Sequence, residues 1–74
     1  MVVIEFSDHA VKQLVNRPRI TQEMAVETIK HAEAITHSFR GRTLYQKRFN
    51  DEKLEVVAIT EDNRLIVITQ YFLE

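Results

Sequence analysis

Apolar and polar positions follow two different periods along this chain. Val2-Val3-Ile4-Glu5-Phe6 is β-branched and aromatic and predicts a short strand. Ser7 or Asp8 then offers a capping oxygen, and Ala10, Val11, Leu14 and Val15 recur at helical spacing as one apolar face. Pro18 ends this helix, because the residue before a proline avoids the α region. Thr21 is a second cap, and Ala25, Val26, Ile29 and Ala32 form the stripe of a helix over roughly residues 22–33. Glu27 and Lys30 are spaced to pair on its outer face.

From Ile35 onward the period is two. Ile35, His37 and Phe39 alternate into a hairpin, and Leu44, Gln46 and Arg48 alternate out of it. Gly41, the only glycine, supplies the turn, since glycine takes positive φ without steric cost. Thr43, Tyr45 and Lys47 share the other face of the outgoing strand, with Arg42 just before them. Asn50-Asp51-Glu52 and Glu61-Asp62-Asn63 are turns around a strand in which Leu54, Val56 and Ala58 alternate with Glu55, Val57 and Ile59. The last strand, Leu65 to Tyr71, is apolar on both faces, which places it centrally in the sheet. The order is β-α-α-β-β-β-β. The expected fold is α+β: a twisted, mainly antiparallel sheet of four to five strands with two helices packed on one face. The other face stays partly open and offers room for a surface site.

The 74 residues make one domain, 1–74, with no repeat or linker. A chain of this size buries only ~60–65% of its unfolded surface, so its margin of stability is thin. The apolar content of 45% with one glycine and one proline argues for a folded core. Cysteine is absent, which removes disulfides, thiolate metal sites and a thiol nucleophile, and fits the cytoplasm. No apolar run approaches the ~18 residues of a membrane span, and no secretory signal pattern opens the chain.

Net charge is −1, so any attraction to nucleic acid has to be local. Such a patch exists. Residues 35–49 hold Arg40, Arg42, Lys47 and Arg48 and no acid, whereas the remaining chain carries eleven acids against six bases. Together with Arg17 these side chains are able to hold phosphates, and Tyr45 and Tyr71 to stack on a base. The plainer reading is a sheet edge kept soluble by charge. His9, in the first turn of the first helix, is able to act as a base or simply to cap the helix. His9, His31 and His37 have no ligand spacing, so no metal or other cofactor is expected. Ser7 and Ser38 lie in no nucleophile motif.

One resemblance spans nearly the whole chain. Phe6-Ser7-Asp8-His9-Ala10 with Arg17, Ile20-Thr21 and Val26 resembles the pattern F-T-x-H-A … R-G-I-S-x-x-x-V. Gly41-Arg42, Tyr45-Gln46-Lys47, Leu54-x-Val56-Val57 and Val67-Ile68-Thr69-x-Tyr71 continue it in order. The family so resembled is a small prokaryotic domain of unknown function, grouped with the RelE/ParE-like toxins and their BrnT relatives. Pro18-Arg19 stands where that pattern has one glycine.

The resemblance implies a RelE-like fold and a toxin-like role beside an antitoxin encoded nearby. It also implies RNA or the ribosome as a target, cut by a metal-independent endoribonuclease through attack of the 2′-OH on phosphate. In that reading His9 is the base or acid. Arg17 and Arg42 stabilise the phosphate with Tyr45, and Arg40, Lys47, Arg48 and Tyr71 bind RNA. A rival from another class is a protein-binding module acting through its sheet edge or open face without catalysis. A third is self-association through the apolar Tyr71-Phe72-Leu73 end.

Overall fold

The structure, a computed structural model, describes residues 3–73, apart from the side chain of Phe39. Val2, expected in the first strand, and the side chain of Phe39, expected in the alternation leading into the hairpin, therefore lie outside it. The elements run β1 (Val3–Phe6), α1 (Asp8–Asn16), α2 (Gln22–Lys30), β2 (Ala34–His37), β3 (Arg42–Phe49), β4 (Glu52–Glu61) and β5 (Arg64–Leu73). The fold is α+β, with the expected element order. Five strands form one open sheet in the order β1-β5-β4-β3-β2, antiparallel except where β1 runs parallel to β5.

Local chemistry sets most boundaries. Ser7 caps α1, its Oγ accepting from the Ala10 N–H at 3.1 Å, and Thr21 caps α2 through the Met24 N–H at 3.1 Å. The β3–β4 and β4–β5 connections are two residues long. They use Asn50 at φ 59° and Asp62 at φ 56°, residue types that tolerate the left-handed region. Between β2 and β3 a single 3-10 turn, Phe39–Gly41, puts Arg40 at φ 64° beside Gly41 at φ 72°. The predicted second helix extends to residue 33, but α2 stops at Lys30. Glu33 already belongs to the sheet edge, donating its N–H to the Gln46 carbonyl at 2.8 Å.

Both helices lie on the sheet face that carries Leu54, Val56 and Val67. These three pack with Ala10, Ile20 and Ala25 into a core flanked by Ile4, Phe6, Leu14, Met24, Ile29, Tyr45, Phe49 and Phe72. Val11 and Val15 were expected in the apolar face of α1, yet they are 48% and 77% exposed. The helix instead turns Ala10, Gln13 and Leu14 toward β5. Glu27 of α2 pairs across to Lys47 at 3.2 Å, a partner on β3 rather than on its own helix.

β5 is central only over its first four residues, where β1 pairs with it at Arg64 to Val67. An extra residue, Ile68, breaks the β4–β5 register between Val57 and Ala58. Beyond it α1 covers the strand. Ser7 donates its N–H to the Val67 carbonyl at 2.9 Å, and Arg17 donates from Nη1 to the Gln70 carbonyl at 2.6 Å. Underneath, Gln70 is fully buried and donates from Nε2 to the Ala10 carbonyl at 3.0 Å, while its Oε1 has no partner among the described residues. An orphaned buried acceptor is costly. Gln70→Leu should therefore leave stability unchanged or raise it by up to about 1 kcal/mol, whereas Gln70→Ala should lose about 2 kcal/mol to the cavity. Urea unfolding of the two variants checks this.

Candidate functional site

The face away from the helices is built by period two. Arg42, Leu44, Gln46 and Arg48 of β3 stand beside Lys53, Glu55, Val57 and Ile59 of β4. Across from these, β5 contributes Ile66, Tyr71 and Leu73. The register aligns three polar residues in one row, since Gln46 is opposite Glu55 and Glu55 is opposite Tyr71. Gln46 donates from Nε2 to Glu55 Oε1 at 2.7 Å, and the Tyr71 hydroxyl donates to Glu55 Oε2. Glu55 is only 7% exposed although no helix covers it. Its neighbours on three strands bury it, and both carboxylate oxygens are engaged.

Burial, then the hydrogen bond to Glu55, then the charge of Glu55, push the Tyr71 phenol up to about 12. All three effects disfavour phenolate, so Tyr71 is a neutral donor at physiological pH. The ordinary phenol value is 10.0. A group raised in the folded state contributes stability that is complete below the unfolded value and is lost as pH rises toward the folded one. Stability should therefore fall between about pH 10 and 12, and Tyr71→Phe should remove that part of the fall. Ultraviolet titration of the phenol should show Glu55→Gln lowering the Tyr71 midpoint. The midpoint should stay above 10.0, because burial, the largest cause, survives the substitution.

Tyr71 also borders a cleft of about 480 Å³ between the 16–20 loop and the end of β5. Arg17 and Arg19 stand at its wall. Arg19 lies 5.0 Å over the Phe72 ring and is paired with Glu52. Phe72, expected at a self-association surface, instead packs against the core from beneath Arg19.

The residues proposed for catalysis are not gathered into one site. His9 is exposed in the first turn of α1, and Arg17 follows its last turn. Seven helical residues lie between them, which sets their backbones about 12 Å apart along the axis. Arg42 is exposed on the open face, at the far end of β3 from the cleft. Tyr45, read from sequence as sharing a usable surface with Lys47, lies with it on the helix-covered face. Tyr45 pairs with Val56 and packs against the core. Lys47 pairs with Leu54 in register, bonds Glu27 and sits 4.6 Å over the Phe49 ring. The same alternation that set these two apart from Leu44 and Gln46 carries them under α2. Arg40 is exposed in the turn, and Arg48 is exposed on the open face with its N–H donated to Glu33 at 3.1 Å. The cleft brings together only Arg17 and Tyr71 of the eight.

Sequence reasoning missed Glu55 and Gln46. The available signal was an acid set between Leu54 and Val56-Val57 in the middle of a strand. Among the described residues, no three His, Asp or Glu side chains are grouped to hold a metal ion, and no helix is long and apolar enough to cross a membrane.

Fold and site together define a class: a small α+β domain whose two helices cover one side of an open sheet and leave a polar-centred face on the other. No protein-family model, curated protein or solved structure matches the chain.

Proposed function

We propose that this chain is a RelE/ParE-like, toxin-like component that acts by binding a protein partner rather than by cutting RNA. One observation carries the choice of binding over cleavage: His9, Arg17, Arg42 and Tyr45 occupy two ends of a helix and opposite faces of the sheet. In-line attack on one phosphate needs base, cation and acid within hydrogen-bond reach of the same group. The kinship rests on the sequence resemblance, and two helices on one face of a mainly antiparallel sheet are compatible with it.

The open face suits protein binding. Leu44 and Ile59, both partly exposed, lie on the same face as the Gln46–Glu55–Tyr71 row, and Arg42, Arg48 and Lys53 rim them. An apolar centre with a charged rim is the usual anatomy of a protein interface. The basic rim suits an acidic partner segment.

The test is growth after induced expression, matched for soluble protein, together with incubation of the purified chain with RNA. Growth arrest is expected from the wild type and from His9→Ala, with intact RNA in both. Leu44→Lys, placed at the centre of the open face, is expected to relieve the arrest while the far-ultraviolet circular dichroism stays unchanged. RNA cleavage that disappears in His9→Ala would return the ribonuclease reading.

A further inference from the structure

The sheet treats its free edges unequally. Both edge strands are four residues long, but β1 bears the Glu5–Arg64 ion pair at 3.3 Å. The part of β5 beyond β1 is closed by α1 and by Arg17, as described above. β2, at the opposite end, is different. Ala34, Ile35, Thr36 and His37 are all exposed, Ile35 to 55%, and none is a lysine, an acid or a proline. Native sheets normally protect an edge with lysine, proline or a covering element.

Hydrogen-bond direction shows what this edge presents. Ser38 donates its N–H to the Arg42 carbonyl at 2.8 Å, and the Gln46 carbonyl and Arg48 N–H also point toward the β2 side. With the β2–β3 register, alternation turns the backbone groups of Ala34 and Thr36 to β3 and those of Ile35 and His37 outward. Two N–H groups and two carbonyls thus face solvent.

We infer that β2 pairs antiparallel with β2 of a second copy, about a two-fold axis at Thr36, to join two sheets into one of ten strands. The occupant follows from self-complementarity. With the axis at Thr36, Ile35 meets His37 of the other copy twice, and all four outward groups on each strand are bonded. Centring on Ile35 would require an outward N–H from Glu33, which is already given to Gln46. Centring on His37 would pair Ile35 with residue 39, inside the 3-10 turn. Only the Thr36 axis uses strand residues throughout. It also sets Glu33, at the entry to each strand, near the turn of the other copy that carries Arg40, so opposite charges meet at both ends; parallel pairing would bring Glu33 against Glu33. Thr36 faces Thr36 on the open side, and Ile35 packs beside the other copy's His37. The contact is small against the roughly 1,200 Å² of a stable interface, so the dimer is reversible and concentration-dependent.

The chain's lack of cysteine makes the test clean. Directly opposite residues of a non-hydrogen-bonded pair have Cα atoms about 4.5 Å apart, within disulfide range. Thr36→Cys should oxidise to a covalent dimer with twice the 8.7 kDa mass of one chain. Ala34→Cys, on the same face and also exposed, should not, because its two copies lie about 13 Å apart along the strands. Ile35→Pro removes an N–H that β3 does not use, which an edge strand tolerates. In sedimentation across a concentration series, that variant should stay monomeric where the wild type dimerises, with circular dichroism reporting the fold. A wild type monomeric at every concentration up to millimolar would overturn the inference. So would equal crosslinking of Ala34→Cys and Thr36→Cys, or a folded Ile35→Pro that still dimerises. If Ile35→Pro fails to fold, the cysteine pair decides alone.

Discussion

Leu54→Ala is expected to lower the stability of the domain by about 3 kcal/mol. Leu54 is completely buried in the first half of β4, between Lys47 and Phe72 in register and beneath the helices. Truncation removes the transfer energy of the isobutyl group and leaves a cavity that strands paired on both sides cannot collapse. In a domain whose whole stability is roughly 5–10 kcal/mol, this is a large fraction. Urea unfolding followed by circular dichroism should show a lower midpoint with an unchanged slope. Val15→Ala is the control. Val15 has the same apolar character but is 77% exposed, so its loss should stay within about 0.5 kcal/mol.

The second large effect is expected at Glu55. Glu55→Ala leaves the Tyr71 hydroxyl and the Gln46 amide without their shared acceptor, at a cost of about 1–2 kcal/mol. It also deletes two of the three causes that raise the Tyr71 phenol, so the titration midpoint should drop together with the stability. Glu55→Gln keeps an acceptor for Tyr71 and should cost less. On the proposed reading, partner capture should fall in the same order, alanine below glutamine below wild type, since the row fixes the centre of the open face. A loss of 1.4 kcal/mol there corresponds to about tenfold in affinity. Equal capture by all three would separate the row from the binding face while leaving its structural role intact.

Edge and face have separate consequences. Substitutions at Leu44 or Glu55 test the open face, and those at Ile35 or Thr36 test association through β2. Thr36 and Ala34 share the open side of the sheet with Leu44 and Gln46, so a two-fold pairing would set two open faces side by side.

Much of this fold is legible from short-range signals in the chain. Ser7 and Thr21 start the helices because a hydroxyl satisfies an amide left bare by the first turn. Asn50, Asp62 and Gly41 turn the chain because these residue types accept positive φ. Alternation from residue 42 onward declares strands, and the two-residue turns between them fix their register. Each signal acts within a few residues, and each can be read without knowing what lies across the sheet.

Tertiary structure alone decided the rest. Which alternating face of β3 receives the helices depends on where α2 docks, and that placement turned Tyr45 and Lys47 inward. Whether Val11 or Gln13 faces the sheet depends on how α1 rolls against β5, because the helical period allows either. β1 lies parallel to β5 across some sixty residues of chain, a pairing no local pattern announces. The Gln46–Glu55–Tyr71 row needs three strands held in register at once. Until they are, Glu55 is one more acid in a strand, and only the assembled sheet buries its carboxylate and holds the proton on the phenol.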